Sequence, residues 1–149
     1  MAVIEYARNM LKLDDANSTE VNPNTKNPVI DLMEEQKNIT EKGGTMRLGA
    51  WKCDITRETL CHSVYKTENI EERHRHRYEL NNKYLNQLEE NGLVASGKNK
   101  DTNLVEVVEV KEHPWFIGVQ YHPEYKSTVL SPHPLFVSFV SAAILNKNK

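Results

Sequence analysis

Only two of the 149 residues are cysteine, Cys53 and Cys61. Two thiols make neither a disulfide framework nor, without histidine, a four-ligand zinc site. No apolar run approaches the ~18 residues of a membrane-crossing helix, and the longest, Leu135 to Leu145, suits a packed helix instead. Neither sign of charge dominates: 19 Lys and Arg against 21 Asp and Glu leave a net charge of −2. Binding to nucleic acid driven by bulk charge is thereby excluded. The start lacks the basic stretch and apolar core of a secretory signal, so a cytoplasmic protein is expected. No repeat or low-complexity tract appears. What is present is a globular mixture, 38% hydrophobic and 27% charged, with mean hydropathy −0.66. A mass of 17.2 kDa suits one compact domain that buries roughly two thirds of its unfolded surface.

Residues 2–13 carry Val3, Ile4, Ala7, Met10 and Leu11 at helical spacing but enter the helix with no capping residue. The Asn-, Asp- and Pro-rich stretch 14–28 predicts an irregular surface segment, 29–35 a short turn or strand, and 36–44 a loop. Alternation over 45–55 predicts a strand, and 56–65 a short helix capped by Thr56. Within 71–80, arginine and histidine alternate, which only an extended chain sorts onto two faces. A helix over 81–91 should stop at Gly92, and strands follow at 93–97, 104–110 and 115–121. Their hairpin-like spacing makes part of the sheet antiparallel. A last helix runs over 133–147. The order predicts an α/β or α+β domain.

Three stretches could carry chemistry. In VQYHPEY, residues 119–125, His122 and Glu124 would project together across a rigid Pro123. A carboxylate beside an imidazole fixes its tautomer and stabilises its protonated form, as a general base serving a nucleophile requires. The plain alternative is a surface histidine at a strand end. In RHRHRYE, residues 73–79, Arg73, Arg75 and Arg77 share one side and His74 and His76 the other. An arginine there could grip a carboxylate as a bidentate fork. Alternatives are a solvated basic face paired with Glu68, Glu71 and Glu72, or a zinc site on His74 and His76, which no further Cys or His cluster supports. In NSTE, residues 17–20, Glu20 could accept hydrogen bonds from an ammonium, or the segment could be an ordinary loop. The glycine pair before Thr45 does not open a phosphate-cradling loop, since no Lys-Ser/Thr follows.

Together these pieces resemble the later part of the glutaminase domain of the CTP synthase family, which are class I glutamine amidotransferases. The resemblance spans nearly the whole length. It rests on AVIEYARN (2–9), ANSTE (16–20), GGTMRLGAWKC (43–53), ERHRHRYELNN (72–82), HPWFIGVQYHPEY (113–125) and SPHPLFVSFVSAA (131–143). It implies a flavodoxin-like, three-layer α/β fold in which residues 1–149 form the C-terminal portion of the domain, with a mixed sheet whose N-terminal strands are missing. His122 matches the family's catalytic histidine, Glu124 its partner carboxylate, Glu20 the acid holding the substrate's α-amino group, and Arg77 a residue of the glutamine site. L-glutamine is the implied substrate, and no metal or cofactor is expected in this portion. The full-length family uses ATP, Mg and a GTP activator, works as a homo-tetramer, and delivers ammonia to an amidoligase domain where ATP and UTP react to give CTP.

One departure stands out. The family's nucleophile lies in a Gly-x-Cys-x-Gly elbow expected just before the helix at Ala2, and this sequence does not contain it. Cys53, in a predicted strand, and Cys61, in a predicted helix, read as buried structural thiols. The chain alone is therefore expected to be catalytically inactive, and to associate through bared apolar faces on helices 2–13 and 135–145. A non-catalytic glutamine-binding or regulatory module is the alternative.

Overall fold

The computed structural model describes residues 1–32 and 46–147; the expected loop over 36–44 and the start of GGTMRLG lie outside these. The elements in order are α1 (Ala2–Asn9), β1 (Asn17–Ser18), β2 (Pro28–Asp31), β3 (Arg47–Ile55), α2 (Leu60–Tyr65), β4 (Asn69–His76), β5 (Glu79–Leu80), α3 (Leu85–Glu90), β6 (Leu93–Lys98), β7 (Val105–Val110), β8 (Ile117–Val119) and α4 (Pro134–Lys147). Two sheets result. A small mixed sheet has the order β1-β2-β5, with β1 and β2 parallel and β2 and β5 antiparallel. A five-stranded sheet, β4-β3-β6-β7-β8, is antiparallel throughout. The α/β class and the antiparallel section are as the sequence implies.

β7 divides the interior. Its VEVVEV run is buried over all but its last residue. Val105 and Val108 join a cluster with Val3, Ile4, Ala7, Val29, Leu80, Leu88 and Leu93, while Val107 faces a second cluster of Cys53, Ile55, Cys61, Tyr121 and Leu135. Gly97 lies against the second cluster: a Cβ there would lie 2.7 Å from Val107 Cγ2 and 2.8 Å from Cys53 Sγ.

Boundaries differ from the periodicity reading for local reasons. α1 stops at Asn9 instead of residue 13, because Lys12 turns left-handed at φ 58° and the Leu13 amide donates back to the Ala7 carbonyl. Thr59, not Thr56, caps α2: its hydroxyl oxygen accepts from the His62 amide while its O–H donates to the Thr56 carbonyl. The buried Glu109 carboxylate also accepts from the Leu60 and Cys61 amides, occupying first-turn donors that otherwise lack partners. The helix expected over 81–91 divides into a 3₁₀ turn, Asn82–Tyr84, and α3, and Gly92 follows at φ 96° as expected of a C-terminal stop.

The apolar faces behave differently from one another. α1 is not bared, since Val3, Ile4 and Ala7 are all buried. α4 is: Phe139, Val140, Ile144 and Leu145 are each more than half exposed. Such a surface associates in water, so the purified chain should elute as oligomers on size-exclusion chromatography, and a Val140→Lys, Ile144→Lys pair should return it to monomer. A wild-type monomer at tens of micromolar would refute this.

Candidate active site

β8 ends at Val119, and the chain turns at His122 into a 3₁₀ turn, Pro123–Lys126. The expected extended geometry is thus replaced by a helical one. Pro123 suits it, because the first residue of a helical turn needs no N–H and its φ is already set. Within this turn His122 Nδ1 lies 2.6 Å from Glu124 Oε1. The backbone N–H of His122 donates to the Arg73 carbonyl at 2.8 Å, fastening the turn to β4. Tyr125 stacks on the imidazole at 5.1 Å and 25°. The Glu124 carboxyl is held below the usual carboxylate range, first by its own backbone amide and then by His122. Glu124 therefore stays ionised and is able to aim the ring and stabilise its protonated form.

Glu20 and Arg77 come from distant parts of the sequence and face one cavity of about 740 Å³, which Arg75, His76, Tyr78, Glu106 and Gln120 also line. Its size falls within the usual range for a small-molecule site. Glu20 sits in the turn after β1, where its backbone N–H donates to Ser18 Oγ. Arg77 follows directly on β4. Arg73 and Arg75 are exposed, whereas His74 is buried and His76 nearly so, as alternation requires. His122 and Glu124 do not line this cavity, but His122 lies close enough to His74 and His76 to disfavour their protonation.

The sequence reading missed a buried charge cluster. Arg47, 5% exposed, grips both oxygens of Glu106 (Nη2–Oε1 2.7 Å, Nη1–Oε2 3.3 Å) and reaches Glu79 Oε1 at 3.2 Å. His74 Nδ1 and His76 Nε2 share a hydrogen bond of 2.8 Å beside it. Burial, followed by the Arg47 charge, lowers His74 to about 3 and His76 to about 4. Burial raises Glu79 to about 7 despite Arg47. A signal was available: acids inside VEVVEV, a run too apolar for a half-exposed strand, must be buried and must find cations. The zinc alternative gains a third donor here, since His74, His76 and Glu106 offer atoms within 4.8 Å of one another. It is nonetheless disfavoured, because the arginine already neutralises Glu106 and the two imidazoles engage each other.

A second buried cluster joins β4 to the helices. His133 Nε2 lies 3.0 Å from Glu72 Oε1, and Tyr65 and Tyr121 share a hydroxyl contact of 2.9 Å beside them. Both cysteines are buried, at 1% and 0% exposure. Burial pushes both thiols up, Cys61 to about 12.

The sequence matches the class-I glutamine amidotransferase family over residues 1–142, and the chain belongs to that family. Among its relatives are CTP synthases. That of Flavobacterium psychrophilum is 67% identical over 149 residues, covering all of this chain and 28% of the relative. That of Clostridium perfringens (strain 13 / Type A) is 60% identical over 146 residues, covering 98% and 27%. The chain thus spans a little over a quarter of these curated relatives. Its structure is similar to the Trypanosoma brucei CTPS glutaminase domain with bound acivicin: TM-score 0.88 at 37% identity, covering 96% of this chain and 56% of that one. The chain is accordingly similar to the glutaminase part of CTP synthases.

Proposed function

We propose that this chain supplies the glutamine-binding surface and the general base of a CTP synthase glutaminase. The observation that carries the reading is the meeting of Glu20 and Arg77 at one cavity. Free glutamine offers one ammonium and one carboxylate, which an acid and an arginine fork complement. His122, aimed by Glu124, takes a proton from a cysteine thiol; the thiolate attacks the amide carbon; the imidazolium then protonates the departing ammonia. A water deprotonated by His122 next cleaves the thioester, leaving glutamate and regenerating the thiol. The sulfur comes from residues outside these 149, because both of this chain's thiols are buried and hard to ionise. In the whole enzyme the ammonia would aminate UTP to CTP at an ATP-using amidoligase site, as the names of the relatives support. The same buried thiols favour a second reading, a glutamine-binding module with no chemistry of its own.

Calorimetric titration with L-glutamine tests the assignment. Glu20→Ala and Arg77→Ala should each weaken binding about tenfold or more, the loss expected for one charge-assisted contact. Wild-type affinity in both variants would refute it.

A further inference from the structure

The buried cluster, two of whose members, His76 and Glu106, form part of the cavity wall, plays no part in the chemistry above, and burying so many ionisable groups is costly. Followed in order, its contacts close on themselves. Arg47 Nη2 meets Glu106 Oε1 at 2.7 Å, and Glu106 Oε2 lies 3.7 Å from His74 Nδ1. His74 bonds His76 at 2.8 Å, His76 Nδ1 faces Glu79 Oε1 at 3.4 Å, and Glu79 returns to Arg47 at 3.2 Å. Well-packed apolar side chains would serve stability as well or better, so the ring is better explained by the geometry it imposes.

That geometry has a definite place. The β3–β4 ladder ends at the pair Arg47 and His76, and the next paired residue is Glu79, opposite Asp31 in the other sheet. Arg77 and Tyr78 are the two residues that cross between sheets. The ring holds both banks of the crossing, His76 before it and Glu79 after it, and ties both to Arg47 and Glu106 of the large sheet. Glu20 stands beyond β1 of the small sheet. The separation of Glu20 from Arg77 therefore depends on how the two sheets are clamped.

We propose that Arg47 and Glu106 are positioning residues for the glutamine pocket: through the buried ring they fix the Arg77 crossing, and so set the distance between the groups that receive the ammonium and the carboxylate. This rests on the glutamine reading above. Arg47 does not line the cavity, and Glu106, which does, has both carboxylate oxygens engaged by Arg47. Lysine at 47 keeps the charge but loses the fork that meets Glu106 and Glu79 together.

The test is titration of the folded protein, well below its melting temperature, with L-glutamine and with L-glutaminamide, which keeps the ammonium and lacks the carboxylate. In the wild type the amide should bind at least tenfold more weakly. Arg47→Lys and the isosteric Glu106→Gln should weaken L-glutamine about tenfold while hardly changing L-glutaminamide, so that the gap between ligands closes. A merely structural role would lower the melting temperature and leave that gap intact; this result in either variant overturns the inference alone. Wild-type protein that binds neither ligand overturns the glutamine reading and the inference together. The second variant and measurement in the cold guard against a substitution that unfolds the chain.

Discussion

Purified alone, the chain is expected to release no glutamate from L-glutamine above a buffer blank. A glutaminase of this class needs a thiolate within reach of its base, and the candidates are Cys53 and Cys61. Both lie in the second hydrophobic cluster beside Ile55, Val107 and Tyr121, out of contact with solvent. Burial disfavours the thiolate, as do Glu106 near Cys53 and Glu109 near Cys61. A thiol raised to about 12 is ionised in roughly one molecule in a hundred thousand at neutral pH. In hydrolases that act through a nucleophile and its base, removing either member costs on the order of a millionfold in kcat. The His122–Glu124 pair, correctly formed, then has no proton to take from sulfur. A coupled glutamate assay decides the matter, and turnover abolished by Cys53→Ser or Cys61→Ser would contradict the assignment of both thiols to the core.

Replacing Arg47 by methionine destabilises the fold by about 3–5 kcal/mol, the usual cost of leaving a buried charge without its partner. Two carboxylates lose their counter-charge in this variant, Glu106 at 1% exposure and Glu79 at 2%. The pH dependence gives a sharper signature than the magnitude. Without Arg47 both carboxyls would be raised further above their unfolded values, so the variant binds more protons folded than unfolded. Its stability is fullest at acidic pH and falls as pH rises through the raised values. In the wild type the two histidines of the cluster run the other way in acid. His74 and His76 are lowered to about 3 and about 4 from 6.5, so their contribution is complete above pH 6.5 and is lost as pH falls through the lowered values. Glu79, raised to about 7 by burial, and Glu106, also raised by burial, oppose this as pH falls, so the signature lies in the comparison of variant with wild type. Thermal melts from pH 7 down to pH 5 should therefore show the variant gaining stability relative to the wild type, since its carboxyls are raised further and its histidines lowered less. Parallel profiles would show that Arg47 does not govern the cluster.

Much of this molecule was legible as a linear pattern. Alternation placed β3 and β6 to within two residues and the strand containing VEVVEV to within one, because a strand's two faces meet different environments at every step, whereas the extended segment expected over 71–80 ends four residues early, at His76. The pairing of His122 with Glu124 also followed from the sequence, although for a partly mistaken reason: a 3₁₀ turn begun by Pro123 brings the groups together, not an extended strand. Both elements are short-range, and short-range geometry is governed by neighbouring residues.

Other features were invisible until the chain closed. Nothing local to Arg47 marks it as the partner of Glu106, 59 residues later, or of Glu79, 32 residues later. Nor does any local rule bring Glu20 to the same cavity as Arg77. The sequence by itself determined the class of fold, the pairing of His122 with Glu124, and the scarcity of thiols. Only tertiary structure decided which charges are buried together, because the cost of burying a charge depends on which distant residue arrives to neutralise it, and chain topology alone sets that arrival.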